Sequence, residues 1–342
     1  MPRIFRRLVC IAVALMPTIA FADPVADFYK GKQMHFIIRS APGGGYDLYS
    51  RLVATFIVKH IPGNPTMVLQ NMPGGGGIAA ANYMAEIAPK DGTYLSMIGE
   101  SMDMDQSLGF DPQFKGDLTT FGWIGNLSES NILTYMWHTS PVKTMQDALK
   151  IESTIAGTGS GSPSSWLPLL YNKVLGTKFK LVDGYEGGAA VKLAMDRGEV
   201  DGYGGNPWSA LNATSPELVR DHLISILVQV GIRKEKDLPD VPLLTDLAPD
   251  ADKRAILDFI SKALSVGRPI GTTPGVPAER LSALREAFDD MLKDPDFLAQ
   301  AAKAHVQIDP MDGLTLQKIT DDVMSAPKAL TEKVKAALPD RG

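Results

Sequence analysis

The stretch APGGGYDLYSRLVA, residues 41–54, places three consecutive glycines, a tyrosine and an aspartate directly before an amphipathic run. The run Met34–Ile38 just upstream has the short apolar character of a buried strand. Strand, glycine loop and helix in this order predict an α/β unit. Unpaired backbone N–H groups at such a helix start carry partial positive charge and can hold an anion, so the junction raises the question of which anion it holds.

The same alternation continues along the chain, which predicts right-handed crossovers and largely parallel sheets. The first predicted helix places Leu48, Leu52, Val53 and Phe56 on one face, and the region after Pro277 is predicted to be mostly helical. The other predicted elements are strands Met67–Gln70, Tyr94–Ile98, Ser153–Ala156, Phe179–Val182 and Val200–Gly205, and helices Ile78–Ala88, Trp166–Leu175 and Ala189–Arg197.

The first 22 residues have the features of a secretory signal: three arginines, an apolar run from Leu8 to Phe21, and a small-x-small end at Ala20–Ala22. The apolar run is too short to span a membrane comfortably and contains Pro17. We expect cleavage before Asp23 and export to the periplasm. The alternative is a membrane-anchored tail.

Charge and cysteine usage exclude several classes of protein. Removing the signal takes away three arginines and no acid, so the net charge moves from −5 to −8, which argues against a nucleic-acid partner. The single cysteine, Cys10, lies in the signal, so the mature chain has no thiol. Cysteine nucleophiles and cysteine metal sites are therefore excluded.

No sequence motif for catalysis or for a cofactor is complete. The glycine junctions lack the Gly-Lys-Ser/Thr of a P-loop, and Gly157-x-Gly159-x-x-Ser162 only approaches a dinucleotide fingerprint. There is no G-x-S-x-G elbow, and the five histidines have no ligand spacing. We therefore predict a binding protein with no metal and no cofactor.

Two glycine-rich junctions, one at residues 43–45 and one at residues 157–165, follow predicted strands about 115 residues apart. Ligands of parallel α/β sheets bind at the carboxyl ends of strands, so two such edges facing each other would form a cleft for an anion. The simpler alternative is that these glycines only permit tight turns.

A set of short motifs, in order and at characteristic spacing, resembles the Bug family, the solute receptors of tripartite tricarboxylate transporters. The resemblance covers most of the mature chain. The motifs are Ala41–Asp47 with Ser50–Leu52, Asn71–Gly77, Ala88–Gly92, Gly157–Trp166, Gly184–Gly188, Arg197–Gly202 and Leu238–Pro242.

The resemblance implies a two-domain periplasmic binding protein of the type II-like α/β class. Each domain would have a mostly parallel sheet flanked by helices, and the domains would close over a small carboxylate. Domain 1 would comprise residues 23–131 and 252–342, and domain 2 residues 132–251. Backbone N–H groups, hydroxyls and waters would hold the carboxylate, often without a cationic side chain. The partners would be the ligand and integral-membrane transporter subunits, and we expect a monomer.

The two junctions and the resemblance together give a set of candidate ligand-binding residues. Three aromatic side chains in the set predict a bulkier or partly apolar ligand, although Trp166 could instead pack into a core. Asp47 is expected to cap the first helix. Arg39 and Glu186 depart from the family pattern, and either could meet the ligand. The candidates are Gly43, Gly44, Gly45, Tyr46, Asp47, Ser101, Gly161, Ser162, Ser164, Ser165, Trp166, Tyr185, Asn206 and Trp208.

Two other functions are consistent with the sequence. One is a receptor that presents its carboxylate to a sensor kinase rather than to a carrier. The other is an exported enzyme acting on a carboxylate, with Asp47 or Glu100 as its base.

Overall fold

The chain forms two α/β units, each built around one sheet, in a computed structural model. The predicted signal, residues 1–22, lies outside the described residues. Within the described part, no helix has the length and apolar character needed to cross a membrane. The described residues are 23–40, 42, 45–110, 112–159, 162–185, 187–304 and 306–339.

The six-stranded unit has the strand order β11-β4-β10-β3-β1-β2. Its strands are β1 (Gln33–Ile38), β2 (Thr66–Asn71), β3 (Tyr94–Met97), β4 (Gly122–Asn126), β10 (Pro269–Thr272) and β11 (Met311–Asp312). Its helices are α1 (Pro24–Tyr29), α2 (Gly45–Ile57), α3 (Ile78–Asn82), α4 (Met102–Leu108), α10 (Ala251–Leu264), α11 (Ala278–Met291), α12 (Pro295–Lys303), α13 (Gly313–Met324) and α14 (Lys328–Ala337).

The five-stranded unit has the order β7-β6-β8-β5-β9 and uses one continuous part of the chain. Its strands are β5 (Ile132–Trp137), β6 (Ser153–Ala156), β7 (Phe179–Val182), β8 (Gly202–Pro207) and β9 (Ile224–Val230). Its helices are α5 (Met145–Ala148), α6 (Pro163–Val174), α7 (Gly188–Asp196), α8 (Trp208–Thr214) and α9 (Glu217–Arg220). Domain boundaries at residues 131/132 and 251/252 stay a prediction.

The α/β class is confirmed, but both sheets are mixed rather than mostly parallel. β1 is parallel to β2 and β3, and β6 is parallel to β7 and β8. The other pairings, which involve β4, β5 and the strands next to them, are antiparallel. The reason is that β4 and β5 follow one another across the two units, and the chain returns through α10 to insert β10 between β3 and β4.

This topology gathers the loops of each unit at one edge. The carboxyl ends of β1, β2 and β3 share an edge, and antiparallel β10 starts there, with Ile270 opposite Met97. In the five-stranded unit, the ends of β6 and β8 share an edge with the start of β5, where Ile132 lies opposite Pro207. The segments that cross between the units leave and enter at these same edges.

Two local predictions were wrong. Leu52, Val53 and Phe56 of α2 are buried, but Leu48 is 43% exposed. The single helix predicted over residues 78–88 is α3 followed by a π-helical turn at Tyr83–Ile87.

One apolar cluster includes residues of α4, α10 and α14 together with α6 and β5, so it joins the two units.

Candidate functional site

Four side chains of the six-stranded unit meet where its strands end. Arg39 follows β1, Tyr46 lies in the first turn of α2, Glu100 follows β3, and Arg268 directly precedes β10. The Cζ atoms of Arg39 and Arg268 lie 4.3 and 4.5 Å from the centroid of the Tyr46 ring. Both distances are within the range of cation–π contacts, so the ring holds two guanidinium groups at the edge of this sheet.

Tyr46 is tied to the loop after β3. The backbone N–H of Glu100 donates to the Tyr46 hydroxyl at 3.2 Å, and that hydroxyl lies 3.5 Å from Glu100 Oε2. Burial, together with the Glu100 carboxylate, raises the pKa of the Tyr46 hydroxyl above its ordinary value. The hydroxyl is therefore protonated at neutral pH and can donate a hydrogen bond.

Asp47 does not have the predicted capping position. Helix α2 begins at Gly45, so Asp47 lies inside its first turn. Its carboxylate is buried and accepts from Arg51 Nε at 2.9 Å and from Asn71 Nδ2 at 2.8 Å. Asp47 therefore ties α2 to the end of β2.

Ser101 and Arg39 line a cavity of about 290 Å³. Pro163 of the five-stranded unit and Leu264 of the returning segment line the same cavity, so it lies between the units. Ser101 Oγ donates to Asp105 Oδ2 at 3.0 Å. Gly45 is exposed at the start of α2, on the same edge of the sheet.

The three candidate serines of the five-stranded unit lie at the start of α6 and are bonded to nearby groups of the same unit. Ser164 Oγ accepts from the backbone N–H of Thr158 at 3.0 Å and lies 2.9 Å from both Thr158 Oγ1 and Ser162 Oγ. Ser165 Oγ donates to Asp183 Oδ1 at 2.6 Å. Partial burial would raise the pKa of Asp183, but hydrogen bonds from Ser165 and from two backbone N–H groups hold it below its ordinary value.

The two candidate tryptophans are both buried in apolar clusters. Trp166 is 1% exposed and belongs to the apolar cluster that joins the units, because the first turn of α6 points it inward. Trp208 is 4% exposed and packs in the core of the five-stranded unit. It borders a separate cavity of about 190 Å³, whose other lining residues include Arg233 and Glu235.

The remaining candidates divide into placed and undescribed residues. Asn206 is buried near the end of β8 and donates to the Tyr135 hydroxyl at 3.2 Å. Tyr185 is partly buried against the apolar core of the same unit. Gly43, Gly44, Gly161 and Glu186 lie outside the described residues. Among the described residues, no group of three or more His, Cys, Asp or Glu side chains is placed to hold a metal ion.

Comparison with known proteins agrees with this architecture. No family model matches the chain. A UPF0065 protein from the gbd 5′ region of Cupriavidus necator is 24% identical over 336 residues, which are 96% of this chain and 94% of that protein. UPF0065 is the Bug family. The predicted resemblance to the Bug family is confirmed. The solved TctC solute-binding protein from Polaromonas has a TM-score of 0.70 at 19% identity, over 89% of this chain and 99% of that chain.

A second solved structure similar to this chain is MatC from Rhodopseudomonas palustris, which has malate bound. Its TM-score is 0.57 at 19% identity, and the match covers 88% of this chain and 99% of that chain. At this level of identity, both structures establish the fold, that of periplasmic binding proteins.

Arg268 is the site residue that the sequence analysis missed. It lies between Gly267 and Pro269, 168 residues from its partner Glu100. The available signal was a lone arginine just before the short apolar strand Pro269–Thr272, in a region for which no element was predicted. The position of β10 beside β3 brings Arg268 to the cleft, and that pairing is not readable from local sequence.

Proposed function

We propose that this chain is a non-enzymatic periplasmic receptor that captures a small organic carboxylate and delivers it to a membrane carrier of the tripartite tricarboxylate type. One observation carries the proposal: the loop edges of both units border the same cavities, and guanidinium groups and helix starts gather there. Such an arrangement offers donors to an anion from two bodies that can close by hinge bending.

The proposed ligand contacts differ from those predicted at the start. Arg39, Ser101 and Arg268 line one side of the cleft, where the Tyr46 ring contacts both guanidinium groups, and Pro163 lines the other side. Malate is bound by the similar MatC, so a small hydroxy or dicarboxylic acid is the first ligand to try. Trp166 and Trp208 are 1% and 4% exposed, so neither offers a large aromatic face to a ligand.

A receptor fits the two candidate bases better than an enzyme does. Asp47 is paired with Arg51, and Glu100 with Arg268 at 2.8 Å. Each carboxylate is thus held by a guanidinium, whereas a general base needs an acceptor oxygen directed at its substrate.

The experiment is calorimetric titration of the mature chain, residues 23–342, after unfolding and refolding to remove any carried-over ligand. Malate, succinate, citrate, benzoate and glutamate form the panel. We expect one class of carboxylate to bind at one site and to stabilise the fold by about 2.7 kcal/mol at a hundredfold excess over Kd. Absence of binding across the panel would contradict the proposal. Conversion of the bound acid, followed by NMR, would favour the enzyme.

The delivery step needs a test in cells. Deletion of the gene should abolish uptake of the acid identified in the titration, and the full-length chain should restore it. Normal uptake together with loss of the transcriptional response to that acid would favour the sensor-kinase alternative.

A further inference from the structure

Arg268 lies in a narrow part of the cleft, on the segment that returns from the five-stranded unit. The cavity beside it has a volume of about 80 Å³. Tyr49 and Glu100 line it from the six-stranded unit, Pro207 and Ser209 from the five-stranded unit, and Ser130 from the crossing segment. A group bound there would touch both units and the connection between them.

The guanidinium of Arg268 has donors that the protein does not use. Nη1 donates to Glu100 Oε2 at 2.8 Å and to the Gly267 carbonyl at 2.7 Å. Nε is shielded from solvent and has no hydrogen-bond partner among the described residues. A buried N–H without an acceptor is unfavourable, and buried donors in native proteins are nearly always paired. The Nε–Nη2 edge, which commonly binds carboxylates in a bidentate manner, is therefore short of an acceptor.

Two aromatic rings contact this guanidinium. Its Cζ lies 4.5 Å from the Tyr46 ring centroid and 5.1 Å from that of Tyr49. These cation–π contacts give Nε no hydrogen-bond acceptor. Gly45, the first residue of α2, lies close to Nη2, since a Cβ built on it would lie 4.0 Å from that nitrogen, an ordinary contact distance. The start of α2 is therefore near the same edge of Arg268.

We propose that Arg268 binds the carboxylate of the ligand through its Nε–Nη2 edge, and that Glu100 is an internal counter-ion that weakens this binding. This proposal rests on the proposed function, because it names the residue that binds the carboxylate of the ligand. Glu100 holds Nη1 and leaves the other edge to the ligand. Its negative charge partly neutralises Arg268 and repels the incoming anion. A receptor that must release its cargo needs such a limit on affinity.

Substitutions of Arg268 and Glu100 are predicted to change ligand affinity in opposite directions, which a general loss of structure would not do. Removing the Arg268 donors should weaken carboxylate binding by about 10- to 100-fold, the usual range for hydrogen bonds to charged groups. Glu100→Gln should tighten binding by about three- to tenfold, a modest gain because the Glu100 side chain is 44% exposed and water screens its charge. A purely structural ion pair would give losses for both changes.

The experiment titrates the same five acids, malate, succinate, citrate, benzoate and glutamate, into wild type, Arg268→Gln, Arg268→Lys and Glu100→Gln, with Arg280→Gln as the matched control. Arg280 also stacks on an aromatic ring, at 3.5 Å from Phe28, and donates to a backbone carbonyl, but it lies outside the cleft. We expect Arg268→Gln to lose affinity, Arg268→Lys to retain part of it, Glu100→Gln to gain, and Arg280→Gln to match wild type. Thermal unfolding of each variant separates loss of binding from loss of fold.

The outcomes show separately whether the proposed function fails and whether the proposed role of Arg268 fails. Wild type that binds none of the five acids contradicts the proposed function, and the inference falls with it. Wild type that binds while Arg268→Gln binds equally well overturns the inference alone. Weaker binding in Glu100→Gln also overturns it, because Glu100 would then accept a hydrogen bond from a hydroxyl or ammonium group of the ligand.

Discussion

The loop before α2 and the loop before α6 occupy equivalent places in the two units and are built from different chemistry. Each follows a strand with parallel neighbours and leads into a helix. At the first, charged groups surround Tyr46, and one of them, Arg268, has an unused buried donor. At the second, neighbouring hydroxyl groups bond to one another and to Asp183.

The region before α6 is therefore a preformed scaffold, whereas the region around Tyr46 has an unused hydrogen-bond donor on Arg268. Hydroxyls that satisfy one another stabilise a loop but have little left for a ligand, whereas the unused edge of a guanidinium favours an incoming acceptor. Similar glycine and serine content in two loops therefore does not imply similar roles. The six-stranded side should determine ligand chemistry, and the five-stranded side should determine rigidity.

The largest effect should come from breaking the scaffold on the five-stranded side with Gly204→Ala. A Cβ at Gly204 would lie 2.1 Å from the Ser164 carbonyl oxygen and 2.6 Å from Pro168 Cγ, so α6 would have to move away from β8. We expect a loss of about 3 kcal/mol or more in urea unfolding, the upper end of the usual cost of overpacking.

Gly188→Ala is the matched control for that substitution. Its nearest neighbour would be Tyr203 Cε1 at 3.8 Å, an ordinary contact at the start of α7. Equal stability of the two variants would show that α6 is not held tightly against β8.

The next prediction concerns Asp103 in α4 and Asp183 after β7, whose surroundings shift their pKa values in opposite directions. Burial raises the pKa of Asp103 in α4 to about 7, and its Oδ2 has no hydrogen-bond partner among the described residues. Because the folded pKa exceeds the unfolded one, the folded state binds the proton more tightly. The contribution of Asp103 to stability is therefore present below about pH 4 and is lost as the pH rises to 7.

Asp103→Asn should remove this dependence. Relative to wild type, the variant should gain about 2 kcal/mol between pH 4.5 and pH 8, roughly half of what the full pKa difference implies. Asp183→Asn should behave in the opposite way, because the folded pKa of Asp183 is lowered: its deficit at pH 7 should shrink below pH 4. Urea unfolding across pH measures both, and parallel curves for the two variants would contradict the assignment.

The hydroxyl network itself should be worth slightly less. Ser164→Ala removes the acceptor of the partly buried Thr158 N–H, and we expect a loss of about 2 kcal/mol. Ser162→Ala removes an N-cap of α6 and should cost about 1 kcal/mol. Neither should change ligand affinity more than about threefold, because these hydroxyls are already paired. A tenfold loss of affinity at unchanged stability would return them to the ligand site.

The sequence predicted the α/β class and most strands well because those signals are local. The predicted strand Phe179–Val182 coincides with β7, since a short apolar run between turns specifies its own conformation. The mixed sheets were not predicted, because the position of β10 depends on pairing with residues more than 140 positions away. Arg268 was missed for the same reason.

The tryptophans show the other limit of sequence reasoning. An aromatic residue at a helix start can face a cleft or a core, and only the packing of α6 against its neighbours decides that Trp166 faces inward. The serines were predicted to lie in a loop before a helix starting at Trp166, but α6 starts at Pro163, so Ser164 and Ser165 are in its first turn. Which hydroxyls pair with one another depends on that start and on the path of the chain before it. Composition predicts which groups are present near a site and leaves open which of them have unused hydrogen bonds.

The smallest effect should come from Asp47, which tests whether all the charge on the six-stranded side serves the ligand. Its carboxylate is 7% exposed and accepts hydrogen bonds from Arg51 and Asn71, so Asp47→Asn should cost about 1 kcal/mol by weakening a charge-assisted contact. Ligand affinity should stay within threefold of wild type, in contrast to the changes at Arg268 and Glu100. If affinity instead falls more than tenfold while urea unfolding is unchanged, Asp47 contacts the ligand. It would then belong with Arg268 and Glu100 among the charged residues that determine ligand binding.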